Sequence, residues 1–221
     1  MQFLTKYRKR LLKNKIVRNK QLKIIIGAAN TKYHGWISTN VSQLDITNEE
    51  DFEYYFKPNL IDCLLLEHVV EHIDYDSFFN FLKISKRYLR YRGTIRIAVP
   101  DANHPSQYVR ELTGINGTEP GADDHKFFYV VDDFEKIAFE LGYTIDKLEY
   151  FDKNGQFKTS NYDFNNGYIS RCSRNYQGRF TDSKEEYDIM INSVPVNLRN
   201  QFIKQNISYT SLLVDFINDK K

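Results

Sequence analysis

The feature that most limits the possible folds is a short, nearly continuous apolar run, Ile61–Leu66 (IDCLLL). A strand that is apolar on both faces lies inside a sheet covered on both sides, which is typical of parallel sheets. Two further runs share this character, Leu22–Ile26 (LKIII) and Thr94–Val99 (TIRIAV), and helical patterns lie between the runs. Strands that alternate with helices predict an α/β fold with a mainly parallel sheet.

The remaining elements follow from periodicity and from residues that end an element. A helix is expected over Ser77–Tyr91, because acidic residues lie at its start and basic residues at its end, and Gly93 is expected to stop it. Asp132 is the expected cap of the next helix, which ends at Gly142. The last two strands, separated by an insertion at about 152–208, are expected to pair antiparallel at an edge. The other predicted elements are strands at Trp36–Asn40, Tyr143–Phe151, Tyr168–Cys172 and Tyr209–Ile217, helices at Glu49–Phe56 and Lys184–Ile191, and a turn at Asn154-Gly155.

Composition excludes several classes of protein. The 221 residues are 41% apolar and 15% aromatic, which excludes a disordered, collagen-like or disulfide-stapled chain. No apolar run reaches the roughly 18 residues of a membrane span, and the N-terminus lacks a signal-peptide pattern. Cys63 and Cys172 lie far apart, which indicates a reducing compartment, so we expect a cytoplasmic protein.

The charge is unevenly distributed along the chain. Residues 1–44 contain ten Lys/Arg and no acid, whereas the remainder carries 21 basic against 29 acidic residues. An acidic body argues against nucleic acid, so we treat 1–20 as a basic amphipathic segment ahead of a domain at 21–221. Its apolar stripe either packs on the domain or lies on the anionic inner membrane surface. The stripe comprises Phe3, Leu4, Tyr7, Leu11, Leu12 and Ile16.

The first strand runs into a turn of small residues, Gly27-Ala28-Ala29. Small residues at a strand end let a ligand approach the backbone closely. The turn lacks GxGxxG, which argues against a nicotinamide-dependent oxidoreductase, and it also lacks the Gly-Lys-Ser/Thr of a P-loop. Alone it therefore fits both a ligand site and an ordinary tight turn.

The order of the later motifs resembles that of the class I S-adenosylmethionine-dependent methyltransferases. After Ile24–Asn30 (IIIGAAN) come Gly35-Trp36-Ile37, the EHVVEH stretch Glu67–His72 and Val99-Pro100-Asp101. Over about residues 22–217 the chain is similar to a group of these enzymes found with surface-polysaccharide genes. The resemblance implies a Rossmann-like, doubly wound, mainly parallel seven-stranded sheet with an antiparallel edge strand.

The resemblance also implies a cofactor site. Two positions depart from the family, which usually has a glycine where Ala29 stands and an acid where Asn40 stands. We therefore expect weaker cofactor binding, and a catalytically weak or inactive binding module on the same fold is the alternative. By resemblance, Gly27, Ala28, Ala29 and Asn30 hold the methionine part, Asn40 the ribose, and Leu44, Asp45 and Ile46 the adenine, while Glu67 and His68 face cofactor and acceptor.

Methyl transfer to a hydroxyl needs a base, or a metal that lowers the pKa of the hydroxyl. The loop after Thr94–Val99 carries His104 and His125 as expected bases, with Asp101 and Asp124 orienting the base or the acceptor. Alternatively, Asp101, Asp124 and His104 hold Mg²⁺ or Mn²⁺. The expected activity is O-methylation of a small-molecule sugar or surface-glycan precursor.

A second pattern lies in the EHVVEH stretch. His68–His72 (HVVEH) matches the H-x-x-E-H pattern of inverted zinc proteases, in which two histidines on one helix hold zinc. The stretch directly follows a buried strand and no third ligand is evident, so a zinc hydrolase is a minor alternative.

Overall fold

The computed structural model describes residues 2–169, 196–197, 199–200 and 211–220, with side chains from residue 6 onward. The predicted helix at Lys184–Ile191 and the residue Cys172 lie outside the described residues, as do the side chains of Phe3 and Leu4. Across the described part of the chain, no helix is long and apolar enough to cross a membrane.

Seven strands of the described residues form one mixed sheet in the order β2-β1-β3-β4-β7-β5-β6. Its three pairings from β2 to β4 are parallel, and its three pairings from β4 to β6 are antiparallel. The strands are β1 Lys23–Ile26, β2 Ile37–Ser38, β3 Ile61–Glu67, β4 Leu89–Val99, β5 Thr144–Phe151, β6 Phe157–Thr159 and β7 Leu212–Ile217.

The α/β class and the seven strands of the expected sheet are therefore confirmed, but the sheet is mixed rather than mainly parallel. The last strand, β7, pairs antiparallel with β5 as expected. It does not lie at an edge, because it also pairs with β4 and is thus inside the sheet. The antiparallel edge strand is instead β6, which the Asn154-Gly155 turn joins to β5 as a hairpin, with Gly155 at φ +72°.

Five α-helices of the described chain flank the strands. Asp74 caps α3 by accepting a hydrogen bond from the Ser77 amide. Val130, and not Asp132, precedes α5, and the Asp133 carboxylate accepts from the Val130 amide at 3.0 Å. The helices are α1 Gln2–Arg18, α2 Glu49–Tyr55, α3 Tyr75–Tyr88, α4 Gln107–Thr113 and α5 Val131–Leu141.

The end of α3 differs from the sequence-based expectation. The helix stops at Tyr88, and Leu89–Val99 is one long strand, so Gly93 lies within β4 rather than ending the helix. A side chain at Gly93 would meet the carbonyl oxygens of Arg90 and Ile61, each 2.9 Å from its Cβ position. Gly93 is thus needed where β3 and β4 come close together.

The sheet separates two clusters of buried side chains. The larger cluster joins alternate residues of β1, β3, β4 and β7 to buried side chains of α1, α2, α3 and α5. The smaller cluster covers the opposite face with Ile25, Leu65, Ala98, Leu213 and loop residues. In the part of the chain that the structure describes, these four helices therefore pack on one face, and the expected doubly wound arrangement is not formed.

The N-terminal helix packs on the domain through part of its apolar stripe. Leu12 and Ile16 are buried in the larger cluster, whereas Tyr7 and Leu11 are largely exposed. Lys9 pairs with the buried carboxylate of Asp51 on α2. The helix is thus held by apolar and ionic contacts.

Candidate functional site

The direction in which successive strands are added to the sheet reverses at β1. The chain passes from β1 to its neighbour β2 on one side and then to β3 on the other side. In α/β sheets a ligand crevice lies at such a switch point, outside the carboxyl ends of the strands. Four of the predicted cofactor-binding residues are exposed where β1 and β2 end: Gly27, Ala29, Asn30 and Asn40.

The turn after β1 requires small residues because of its own packing. Gly27 has φ +62°, and a side chain there would place its Cβ only 2.6 Å from Cγ2 of Val69. Ala29 also adopts a left-handed conformation, with φ 45°. Ala28 is buried, and its amide donates to the Thr39 carbonyl at 2.9 Å. The turn is therefore fixed against the ends of β2 and β3.

Asn40 holds this turn through both groups of its side-chain amide. Oδ1 accepts a hydrogen bond from the Ala29 amide at 2.9 Å, and Nδ2 donates to the Ala29 carbonyl at 3.4 Å. A carboxylate at this position could accept the first bond but not donate the second. The amide still has one lone pair and one N–H for a ligand, so its expected ribose contact fits the geometry but stays a prediction.

In the segment predicted to contact adenine, residues 44–46, the side chains are engaged within the protein, so the backbone is the part left for a ligand. Leu44 and Ile46 are buried in the larger cluster, facing the helices. The Asp45 carboxylate accepts hydrogen bonds from the amide and the hydroxyl of Thr47, at 2.9 and 2.7 Å. Asp45 thus shapes the turn before α2.

The end of β3 places Glu67 and His68 beside β4 and β7. Glu67 is half-buried and pairs with Ala98 in the sheet. His68 has φ 53°, and its ring lies between the Glu71 carboxylate and the Ser211 hydroxyl, at 3.1 Å from each. His68 therefore links the end of β3 to the start of β7.

Asp101 joins the ends of two strands. It is 3% exposed, and its two carboxylate oxygens accept from the amides of Asn103, at 2.8 Å, and Phe151, at 2.7 Å. Burial raises the pKa of Asp101 to about 6, although both hydrogen bonds favour the ionised form. These contacts support a positioning role for Asp101 in the loop that follows β4.

The two expected bases have different surroundings. His104 is buried against the Phe151 ring, and its Nδ1 accepts from the Ser106 amide at 3.1 Å. A neutral His104 therefore carries its proton on Nε2 and has no spare lone pair. In His125, Nδ1 lies 2.9 Å from the Thr113 carbonyl, which can only accept, so the lone pair of neutral His125 is on Nε2. The geometry favours His125 as a base or ligand.

Asp124 orients a different histidine from the expected one. Its carboxylate lies 2.6 Å from Nδ1 of His72, and the rings of His72 and His125 are 4.6 Å apart, edge to face. Sequence reasoning placed Asp124 with His125 or the acceptor. His72 was paired with His68 rather than with His125, and no role was given to Glu71, a buried acid that lies between two histidines in the sequence.

The H-x-x-E-H pattern does not form the arrangement that its spacing indicates. Val70–His72 is a single 3₁₀ turn, and His68 precedes it. His68 and His72 are therefore not on one helical face, and the His68 ring contacts Glu71 instead. The expectation that His68 and His72 together hold zinc is wrong.

Comparison with known proteins finds remote structural likeness only. No protein-family model matches the chain, and no curated protein matches it. An S-adenosylmethionine-dependent methyltransferase from Archaeoglobus fulgidus is 16% identical, with a TM-score of 0.44 over 95% of this chain and 93% of its own. The YcgJ protein of Bacillus subtilis is 12% identical, with a TM-score of 0.44 over 97% and 99% of the two chains.

A third neighbour was solved with two ligands bound. Phosphoethanolamine N-methyltransferase 2 of Haemonchus contortus, in complex with phosphomonomethylethanolamine and S-adenosylhomocysteine, is 12% identical. Its TM-score is 0.38, over 96% of this chain and 51% of its own. At these identities and scores, the likenesses carry no conclusion about what this chain binds.

Proposed function

We propose that this protein is an S-adenosylmethionine-dependent methyltransferase that binds its cofactor where β1, β2 and β3 end. The observation that carries the proposal is the exposed small-residue turn Gly27–Asn30 at the switch point of the sheet. The motifs that resemble class I methyltransferases come from the same strand ends. When bound, S-adenosylmethionine supplies an electrophilic methyl group on a sulfonium.

The residues present fit such a ligand at the turn. Gly27 and Ala29 are exposed with positive φ, so their backbone is open to close approach. Asn40 retains one donor and one acceptor for the ribose hydroxyls, and the backbone around Asp45 is the proposed adenine contact. These features support binding, while the missing acid at position 40 supports lower affinity.

The acceptor proposed is a hydroxyl of a sugar or surface-glycan precursor, which rests on the sequence resemblance. His125 is the better base, since Nε2 carries the lone pair and Nδ1–H already donates to Thr113. Asp101 positions the loop on which His104 and His125 lie.

Isothermal titration of the full chain with S-adenosylmethionine tests the cofactor proposal. We expect binding, with Kd raised about fivefold in Asn40→Ala, the effect of one neutral hydrogen bond. Asn154→Ala, in the exposed β5–β6 turn, is the matched control and should bind like the parent protein. No binding by the parent, binding of NAD instead, or equal affinity in Asn40→Ala would contradict the proposal.

Turnover with candidate sugar acceptors tests the catalytic part. His125→Ala should lower turnover about 10²–10⁴-fold with cofactor affinity unchanged, the range of general-base catalysis. His104→Ala should change it less than about tenfold. Cofactor binding without turnover on any acceptor would favour the alternative of a non-catalytic binding module, which the pairing of Asn40 with Ala29 also supports.

We further propose that the protein is cytoplasmic and contacts the inner membrane surface through α1. A groove of about 520 Å³ between α1 and β2 is lined by apolar Leu11 together with Arg8, Lys15 and Arg18. Basic residues near an anionic surface contribute about 1 kcal/mol each. Sedimentation with anionic vesicles should therefore pull down the protein at low salt and not at high salt.

A further inference from the structure

Three potential metal-ligating side chains meet beside the end of β3, outside the proposed cofactor site. One ligand atom each from Glu71, His72 and His125 lies within 4.8 Å of the others. The backbone fixes this meeting, because the Lys126 amide donates to the Glu71 carbonyl at 2.7 Å. The two segments that carry the ligands are thus held together without a ligand.

The hydrogen bonds of the two histidines leave the same nitrogen available on each. Nδ1 of His72 donates to the ionised Asp124 carboxylate, and Nδ1 of His125 donates to the Thr113 carbonyl. Each neutral ring therefore carries its lone pair on Nε2. Metal-bound histidines in proteins are held in this way, with the second ring nitrogen donating to a carboxylate or a backbone carbonyl.

Glu71 gives an independent indication of a missing partner. Its side chain is 1% exposed. Oε1 contacts His68 at 3.1 Å, but Oε2 is buried without a hydrogen-bond partner among the described residues. A buried carboxylate oxygen without a partner is costly, and a bound cation would remove that cost.

We propose that Glu71, His72 and His125 bind one Zn²⁺ ion. Two imidazoles and one carboxylate form a ligand set that zinc takes in proteins, with a further position left for water or substrate. Bonds of roughly 2.0–2.2 Å place tetrahedral ligands about 3.4 Å apart, so modest side-chain rotations close the present spacing. Imidazole ligands disfavour Mg²⁺, which prefers oxygen.

Solvent reaches the site from the side of His72, since Glu71 and His125 are buried. His72 is 30% and Asp124 71% exposed in their side chains, whereas Glu71 lies on the buried side. Zinc binding does not depend on the methyltransferase proposal. In the zinc-bound protein, however, Nε2 of His125 is a ligand, so an acceptor hydroxyl bound to the ion, with its pKa lowered by the metal, would release its proton to solvent water rather than to His125.

Metal analysis and calorimetry of the full chain test the proposal directly. After removal of metal with a chelator, Zn²⁺ should bind with one high-affinity equivalent, and Mg²⁺ should not compete. His72→Ala and Glu71→Gln should each weaken Zn²⁺ binding by at least about tenfold, and Asp124→Ala by about 10–100-fold. His34→Ala, an exposed histidine elsewhere, is the matched control and should leave binding unchanged.

Replacing the buried Glu71 could disturb folding, whereas Asp124 is exposed and its replacement should not. A loss of Zn²⁺ affinity in Asp124→Ala therefore reports on the metal site itself. Failure of Zn²⁺ to bind, equal binding of Mg²⁺, or parent-like affinity in both Asp124→Ala and His72→Ala would overturn the proposal. Zinc binding without cofactor binding would leave this inference standing and remove the methyltransferase function. Cofactor binding without zinc binding would overturn this inference and leave the methyltransferase proposal standing.

Discussion

Arg96 offers the sharpest test of how the second face of the sheet is stabilised. It lies in β4 with 0% exposure, between β3 and β7. Its guanidinium donates to both carboxylate oxygens of Asp215, at 2.8 and 2.7 Å. It also donates to the carbonyls of Asp163 and Gly167, at 2.8 and 2.5 Å, and stacks over Tyr162. One side chain thus ties segment 162–167 to the sheet.

The substitution Arg96→Met removes all four bonds and leaves the charge of Asp215 buried. Removing one partner of a buried ion pair costs about 3–5 kcal/mol, because the other charge stays without compensation. For a chain of this size, each kcal/mol lowers the melting temperature by about 2–4 °C. We therefore expect the melting temperature to fall by roughly 6–20 °C.

Urea unfolding at neutral pH measures this loss directly. The double variant Arg96→Met/Asp215→Leu removes both charges and should recover part of the loss, since apolar replacements of buried pairs are often neutral, whereas the carbonyls of Asp163 and Gly167 still lack their donor. Arg90→Met, which breaks the exposed pair with Asp62, is the control and should cost at most about 1 kcal/mol. A loss below about 1 kcal/mol in Arg96→Met, or no recovery in the double variant, would refute the reasoning.

Three further predictions concern the cofactor turn, the loop after β4 and α1. Asn40→Asp should tighten S-adenosylmethionine binding about fivefold by calorimetry, because a charged acceptor bonds hydroxyls more strongly by about 1 kcal/mol. Burial raises the pKa of Asp101 from 3.8 to about 6, so its favourable protonated form is lost as pH rises. Between pH 4 and 7, the parent should therefore lose about 2 kcal/mol relative to Asp101→Asn in urea unfolding. Ile16→Ala, at 2% exposure, should cost about 2–5 kcal/mol, whereas Val17→Ala, at 75%, should stay within about 0.5 kcal/mol.

The buried strands were predictable because a strand that is buried on both faces consists almost entirely of apolar residues. Leu22–Ile26 and Ile61–Leu66 are apolar on both faces, and β1 and β3 lie inside the sheet as expected. Residues 89–92 (LRYR) are mostly exposed and fit a helix end equally well. Contacts outside this stretch decide its structure, since Leu89 pairs with Ile61 and the Arg92 amide donates to the Asn218 carbonyl.

The candidate metal site was beyond sequence reasoning for a related reason. The H-x-x-E-H pattern assumes helical spacing between His68 and His72, but the residues after β3 form only one 3₁₀ turn. His125 replaces His68 in the cluster because the Lys126 amide hydrogen-bonds to Glu71. No spacing rule relates positions 53 residues apart, so only the folded chain reveals that these histidines meet.

The position of the helices follows from the order of the strands. From β2 to β5, each parallel connection steps in the same direction along the sheet, from β2 past β1 to β3, then to β4, then past β7 to β5. Right-handed connections place every helix of such a series on one face. Two steps run in the other direction. The step from β1 to β2 is spanned by residues 27–36, which form no helix, and the step from β6 past β5 to β7 is spanned by residues 160–211, of which the structure describes only part.

Among the described residues, the second face is covered by loop segments and by no α-helix. A loop cannot bury as much apolar surface as a helix, and its carbonyl groups need hydrogen-bond donors. Arg96 meets this need by donating to the carbonyls of segment 162–167, and Asp215 balances its charge. The arginine in TIRIAV and the aspartate in LLVDFI, both within otherwise apolar strands, thus mark in the sequence the part of this face that segment 162–167 covers.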